Sequence, residues 1–228
     1  MKLRITTVLA ALIFLAAITA TASAPASEPQ AAVSTAGGVL TVKGTDAQST
    51  PALKLAIGAY VIGRTAGEGF MSINVKDKAD NIVHTAIFNE ARGSYLLPVD
   101  ENIVKQGDLV FEIMGTGAWT VIIAKPDPAT AASLPQTLTG PEMTDAVSKP
   151  FKAAAGKLTV SYAYKAKPKG TGTLIVLEVA TGRSLDTGFI YAGRESGSLE
   201  VVIPAAGVYI AQTGFPLASG GGEVKLGQ

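Results

Sequence analysis

The seven residues TDAQSTP (45–51) return as TDAVSKP (144–150), and Thr, Asp, Ala, Ser and Pro are identical in the two copies. Thr and Asp side-chain oxygens cap backbone N–H groups in turns. Pro is tolerated at the first position or at the edge of a strand, where a missing N–H costs nothing. The repeated segment therefore predicts that the chain turns into a strand in the same way in two copies of one structural unit.

The segments that follow each copy match in the same order, with the gaps falling in turns. GFMSINV (69–75) matches GTLIVLEV (172–179), TAIFNEARGSYLLPV (85–99) matches GFIYAGRESGSLEVVI (188–203), and GDLVFEIMGTG (107–117) matches AGVYIAQTG (206–214). Conserved order over such a distance indicates an internal repeat.

Apolar residues alternate with polar ones inside these segments, as in AWTVII (118–123), where Trp119, Val121 and Ile123 share one face. This period of two is typical of strands with one buried face. Short strands separated by Gly, Asn and Asp favour a sandwich over β-α-β units. We therefore predict an all-β chain with two tandem repeated β-sandwich or jelly-roll domains after a signal peptide.

The N-terminus has the composition of a secretory signal: Lys2 and Arg4 precede an apolar run over 8–20. Cleavage is expected at Ala20-x-Ala22 or Ala24-x-Ala26. The run is shorter than the ~20 residues of a membrane-spanning helix, so we expect no membrane span in the mature chain. The predicted divisions are a signal peptide (1–26), a flexible leader (27–38), repeat 1 (39–125), a linker (126–140) and repeat 2 (141–228). The expected location is secreted, periplasmic or at the cell surface.

The composition excludes several kinds of metal site and gives no sign of a catalytic site. The chain has no Cys, which excludes thiolate metal sites, and a single His, His84, which excludes a two-histidine zinc site. Without the signal peptide, 17 basic and 18 acidic residues leave a net charge of −1, which predicts no binding to nucleic acid. No nucleophile elbow or phosphate-binding glycine motif is present. We expect His84 to be a half-buried strand residue, and we expect no cofactor and no enzymatic activity.

The glycine and strand rhythm of SKPFKAAAGKLTV (148–160), GTLIVLEV (172–179) and GDLVFEIMGTGAWTVII (107–123) resembles the prepeptidase C-terminal type of β-sandwich accessory module found in secreted proteins. The resemblance implies a non-catalytic module that binds glycans or proteins or aids surface display. The second repeat departs from this pattern because it has no Trp near its last strand.

Two groups of residues are candidates for binding. In YKAKPKG (164–170), Lys165, Lys167 and Lys169 lie beside Tyr162 and Tyr164 and could meet an acidic polysaccharide or an anionic lipid, although such a loop is also a common solubilising surface. Asp77 and Asp80 in DKADN (77–81) could form a calcium loop, although the usual ladder of acidic ligands is missing.

We therefore expect a binding or structural protein that contacts protein or polysaccharide at the cell envelope. One alternative is a carbohydrate-binding accessory module that uses the three lysines and the nearby tyrosines. Another is self-association, in which residues 27–44 add as an edge strand to a neighbouring molecule and build a fibre. The opposite expectation is that this segment pairs within its own domain.

Overall fold

The computed structural model describes residues 30–89, 93–185, 189, 190 and 193–228. The predicted signal peptide, with both candidate cleavage sites, lies outside the described residues. The described chain is built almost entirely from antiparallel strands, so the predicted all-β class is confirmed. None of the described helices is long and apolar enough to cross a membrane.

In the first half of the chain, residues 30–125, the described residues form seven strands and one short helix. In chain order they are β1 (Ala32–Ala36), β2 (Val39–Thr45), β3 (Gln48–Ser49), β4 (Gly58–Lys76), β5 (Ile82–Phe88), β6 (Gly93–Val99), α1 (Glu101–Lys105) and β7 (Val110–Ala124). The Asp100 carboxylate caps α1 by accepting hydrogen bonds from the backbone N–H groups of Asn102 and Ile103.

Strands β4 and β7 are long enough to run through both layers of the first sandwich. The N-terminal part of β4 pairs with β6 and the C-terminal part with β5, while β7 pairs with β4 along most of its length. The register between them shifts between Arg64 and Ser72, where the sheet turns a corner. The two layers enclose one apolar core that includes Phe111, Trp119 and Ile123.

The second half, residues 126–228, begins with a 3-10 helix (Pro128–Thr130), and its described residues contain ten strands. They are β8 (Gln136–Gly140), β9 (Asp145–Val147), β10 (Phe151–Ala153), β11 (Gly156–Tyr164), β12 (Gly172–Glu178), β13 (Ser184–Leu185), β14 (Phe189–Ile190), β15 (Ser196–Ile203), β16 (Gly207–Gly214) and β17 (Gly222–Gly227). They form a six-stranded and a four-stranded sheet around a second apolar core.

The pairing scheme of the first half recurs in the second. β11 pairs with β15 from Gly156 opposite Ile203, as β4 pairs with β6 from Gly58 opposite Val99. The pairing of β12 with β16 matches that of β4 with β7. The pairing of β8 with β17 matches that of β2 with β7. These matched ladders support the predicted duplication, while the exact domain limits stay a prediction.

The same pair of hydrogen bonds occurs once in each half and shows which residues are equivalent. Thr50 donates its backbone N–H to the Phe111 carbonyl, and its hydroxyl accepts the Phe111 N–H at 3.0 Å. Ser148 makes the same two bonds with Ala211, at 2.8 and 2.9 Å. Thr50 is therefore equivalent to Ser148, and Phe111 to Ala211.

The halves pack on each other through a third apolar cluster. The first half contributes Ala59, Val61 and Leu96 from the outer face of β4 and β6. The second half contributes the outer face of its six-stranded sheet and the residues that border it: Val147, Ile175, Leu177, Val179, Val208 and Ile210. We call these two surfaces the docking faces. Burial of both faces stabilises one arrangement of the two sandwiches.

Four hydrogen bonds between described residues join the two halves, one of them from the Asn89 side chain to the Met143 carbonyl at 3.0 Å. The Ala59 N–H donates to the Val179 carbonyl at 3.1 Å, and the Leu96 N–H donates to the Gln212 side-chain oxygen at 2.7 Å. The Tyr95 hydroxyl donates to Asp145 Oδ2 at 2.5 Å. Because two of these bonds use main-chain N–H groups, which cannot move independently of their strands, they fix the register of one half on the other.

Two predicted connecting segments contain strands. Residues 32–36 of the predicted leader form β1, and residues 136–140 of the predicted linker form β8. β1 and β2 form a hairpin, and β2 also pairs antiparallel with β7 of the same chain. The described part of segment 27–44 thus pairs within its own half, which is the alternative opposed to strand donation.

Candidate functional site

The two halves differ at the corner where strands cross between layers. The first half crosses within the continuous strands β4 and β7. The second half crosses through two loops, residues 165–171 between β11 and β12, and residues 215–221 between β16 and β17. We call them the lysine loop and the glycine loop.

The lysine loop is tied to the glycine loop by its backbone. The N–H groups of Lys165, Ala166 and Lys169 donate to the carbonyls of Gly221, Ser219 and Leu217 at 2.8–3.0 Å. Gly221 adopts φ of +80°, and a Cβ there would lie 2.5 Å from the Gly140 carbonyl oxygen. The glycine loop therefore depends on a residue without a side chain at this point.

Three of the predicted binding residues are brought together on this loop. Lys165, Lys167 and Lys169 are all exposed, whereas Pro168 between them is buried. Their side chains are therefore free to meet a ligand while the backbone beneath them is held in place. Within the described chain, none of the three forms an ion pair.

The two predicted tyrosines lie in a different setting. Tyr162 and Tyr164 are each 7% exposed and belong to the core of the second half, with ring centroids 5.3 Å apart. The Tyr164 hydroxyl is buried without a hydrogen-bond partner among the described residues. Burial, together with the neighbouring Tyr162, raises the pKa of Tyr164 to about 12. Both rings belong to the core, so the structure gives no exposed aromatic platform at these positions.

An open groove lies beside the lysine loop. It has a volume of about 730 Å³ and is lined by Tyr164, Lys165 and Glu223 together with the β8 end around Gly140. Lys165 contributes a positive charge and Glu223 a negative one, and the described remainder of the lining is Tyr164, glycine and small side chains.

The predicted calcium residues form a turn. The Asp77 carboxylate accepts hydrogen bonds from the N–H groups of Ala79 and Asn81 and from the Asn81 side chain, at 2.8–3.0 Å. These bonds lower the pKa of Asp77. Asp80 pairs with Lys76 at 3.1 Å. In the described parts of the chain no three acidic or histidine side chains gather as a metal site would require, so calcium binding stays a prediction without further ligands.

His84 is a partly buried residue of β5, as predicted. Its Nε2 is buried without a hydrogen-bond partner among the described residues, and burial lowers its pKa. A hydrogen bond with the Leu96 backbone partly offsets this shift. The neutral imidazole is therefore favoured at neutral pH.

Sequence reasoning missed the docking faces and the residues that lock them. Gln212 is 4% exposed, and its amide connects the Leu96 N–H to Asp145 Oδ1, to which it donates at 3.0 Å. A signal was present: LIVLEV (174–179) is a nearly continuous apolar run, which is typical of a strand buried on both faces.

Neither protein family models nor curated proteins match the chain. Among solved structures, a conserved protein of unknown function from Pseudomonas aeruginosa has 12% identity and a TM-score of 0.25, covering 82% of this chain and 77% of its own. A cupin 2 conserved barrel domain protein from Leptotrichia buccalis has 10% identity and a TM-score of 0.26, covering 88% and 89%. The YlbA protein from E. coli has 11% identity and a TM-score of 0.26, covering 87% and 82%. These scores are too low to assign a fold family or a function.

Proposed function

We propose that the chain is an extracytoplasmic, non-enzymatic binding protein whose lysine loop and adjoining groove hold an acidic polysaccharide of the cell envelope. The observation that carries the proposal is the corner of the second half, where two loops replace a direct strand crossing and present three exposed lysines beside an open groove. The signal-like N-terminus supports the location.

The contrast with the first half supports a role for these loops. There the same corner is closed by a buried arginine, Arg64, whose guanidinium donates to the carbonyls of Glu68 and Gly69. Tyr162 occupies the equivalent position in the second half, since each of the two residues lies opposite a glycine, Gly93 or Gly197. The fold can therefore make this corner without exposed loops, so loop closure alone does not account for the lysines.

The charge pattern selects the ligand class. Lysines at alternate positions of an ordered loop present a row of cations that matches the regularly spaced carboxylates or sulfates of an acidic polysaccharide. Such contacts act over about 8 Å at physiological salt and weaken as salt is added. The net charge of the whole chain is close to zero, so the attraction is local to the loop.

Binding of defined acidic and neutral polysaccharides tests the proposal, measured by calorimetry at low and high salt. The variant Lys165→Ala, Lys167→Ala, Lys169→Ala is expected to lose about tenfold or more in affinity for the acidic chain. A matched control removes three exposed lysines elsewhere, with Lys43→Ala, Lys54→Ala and Lys152→Ala, and should retain affinity.

Equal losses in the two triple variants would contradict a specific site, because they would show a general charge effect. Binding to neutral and acidic chains alike would contradict the charge argument. Preference for vesicles of anionic lipid over every acidic polysaccharide would replace the ligand class proposed here.

A further inference from the structure

The two halves differ in how they cover one edge of their sheets. In the first half β1 adds antiparallel to β2, with Ala32 opposite Lys43 and Ala36 opposite Val39. In the second half the described residues show no strand on the outer side of β8, which pairs only with β17. An uncovered strand edge leaves backbone donors and acceptors ready to pair with another chain.

Strands β2 and β8 are equivalent residue by residue. Val42 lies opposite Val121 in the first half, and Leu138 lies opposite Val224 in the second. Both are buried core residues. Val42 also lies opposite Val33 of β1, which packs against the first core. The first half thus shows what covers this edge when it is complete: an extended segment with a β-branched residue opposite the buried side chain.

An open groove marks the uncovered edge. It has a volume of about 470 Å³ and runs between β8 and β9, lined by Gln136, Thr137, Leu138, Val147 and Ser148 among others. Lys149 is the one charged residue in the lining. The Gln136 Nε2 is buried without a hydrogen-bond partner among the described residues.

The edge also lacks the usual protection against pairing. Edge strands are commonly guarded by charged residues, especially Lys, or by Pro within the strand. Residues 136–140 read QTLTG, without either. The opposite edge of the same sheet, β15, carries Glu200, which pairs with Lys157 at 2.6 Å. The two edges of one sheet therefore differ in their readiness to accept a strand.

We propose that β8 accepts an extended, uncharged segment of a partner protein, which adds antiparallel as β1 adds to β2 and places a β-branched residue opposite Leu138. Main-chain hydrogen bonds provide the affinity, and the residue that faces the groove provides the selectivity. This surface is distinct from the lysine loop, so the inference stands apart from the polysaccharide proposal.

A synthetic peptide with the sequence of residues 30–36, QAAVSTA, is the probe, titrated into the full chain. Amide hydrogen exchange should slow over 136–140 and stay unchanged over 196–203, the opposite edge of the sheet. Two matched peptides test the mode of binding. The first has the parent sequence but is methylated on the backbone nitrogen of Ser34, which removes a main-chain donor. The second carries Val33→Asp. The affinity of each variant peptide is expected to be lower than that of the parent by about tenfold or more.

Equal binding of all three peptides, or protection of β15 instead of β8, would overturn strand addition at this edge. A full chain that already dimerises, and whose dimer the parent peptide dissociates with protection over 136–140, would overturn the partner protein as the occupant and assign a second copy in its place. No protection at any peptide concentration would overturn the proposal altogether.

Discussion

Asp46 and Asp145 hold the same place in two nearly identical heptapeptides and make different contacts. Asp46 has φ of +54°, its carboxylate accepts the Gly117 N–H at 3.0 Å, and its carbonyl accepts the Trp119 indole N–H at 2.8 Å. Asp145 lies in β9, and its carboxylate accepts one hydrogen bond from Tyr95 across the junction and one from Gln212 of its own half. The first aspartate closes a turn and the second joins the two halves.

A shift of one residue explains the difference. The heptapeptides are 99 residues apart, from Asp46 to Asp145, whereas the equivalent strand residues Gly58 and Gly156 are 98 apart. A slip of one residue along a strand turns each side chain to the opposite face. Identical residues have thus acquired different neighbours, and sequence identity between repeats does not by itself establish an equivalent role.

The docking faces show the opposite case. Here the positions are structurally equivalent in the two halves, but the residues that occupy them differ. Ile175 and Leu177 of the second half correspond to Asn74 and Lys76 of the first, because the former pair with Gln212 and Ile210 as the latter pair with Glu112 and Val110. Asn74 and Lys76 both bind the Glu112 carboxylate, at 3.2 Å. The face that is apolar and buried in one half is polar and hydrogen-bonded in the other.

Exchanging residues between the equivalent faces should give the largest effect. Leu177→Lys places a cation in the buried junction and is expected to lower the free energy of unfolding by about 3–5 kcal/mol. Lys76→Leu removes two ion pairs, with Asp80 and Glu112, at a partly exposed position and should change the free energy of unfolding far less. Chemical denaturation followed by circular dichroism measures both changes.

Trp119, the only tryptophan, lies in the first core and reports on that half alone. If Leu177→Lys separates the halves, fluorescence and circular dichroism should give different transitions. Coincident transitions with unchanged midpoints in the variant would show that the junction does not stabilise the protein.

The two aspartates should differ in the same assay, with a smaller effect. Asp145→Ala removes two hydrogen bonds and leaves the Tyr95 hydroxyl without its acceptor, at a cost of about 2–3 kcal/mol. Asp46→Ala removes one bond at an exposed turn and keeps an unfavourable positive φ, at about 1 kcal/mol. Asp46→Gly should recover part of that loss. A larger effect at Asp46 than at Asp145 would reverse the comparison.

Alkaline pH should give the smallest effect. Burial raises the pKa values of Tyr95 and Tyr164, the latter to about 12, so the folded state favours their neutral forms. The corresponding stability is complete below the unfolded pKa of about 10 and is lost as pH rises from there toward the folded values.

Tyr164→Phe should flatten this decline by about 1 kcal/mol and cost little at neutral pH, because its hydroxyl has no partner among the described residues. Unfolding curves between neutral pH and about pH 11 measure the slope. An unchanged slope in the variant would place the alkaline sensitivity elsewhere, with Tyr95→Phe as the next variant to compare.

Strand content, turns and core parity followed from the sequence because they depend on local pattern. Trp119, Val121 and Ile123 alternate and are all buried. The same reasoning applied to Leu158, Val160, Tyr162 and Tyr164 would have placed both tyrosines in the core, as found. The prediction of Tyr162 and Tyr164 as binding residues rested on their proximity to the lysines and not on this alternation.

The junction and the β1 hairpin could not be derived in the same way. Their formation depends on which surfaces meet after each sandwich has folded, and small residues such as Ala59 carry little signal of burial by themselves. Gly182 is a further example: a Cβ there would lie 2.6 Å from the Gly58 carbonyl oxygen, a close approach that only the assembled halves create.

The polar character of the two unused faces limits how far this architecture can be extended. Where the first half offers Ala59 and Leu96 for docking, the second has Lys157 and Glu200, joined as an ion pair. A third unit appended at either end would meet charge where it needs an apolar surface. Each half therefore resembles the terminal repeat of a repeat protein, with one apolar face and one polar outer face. Adding a third unit would first require apolar residues on one of the polar faces.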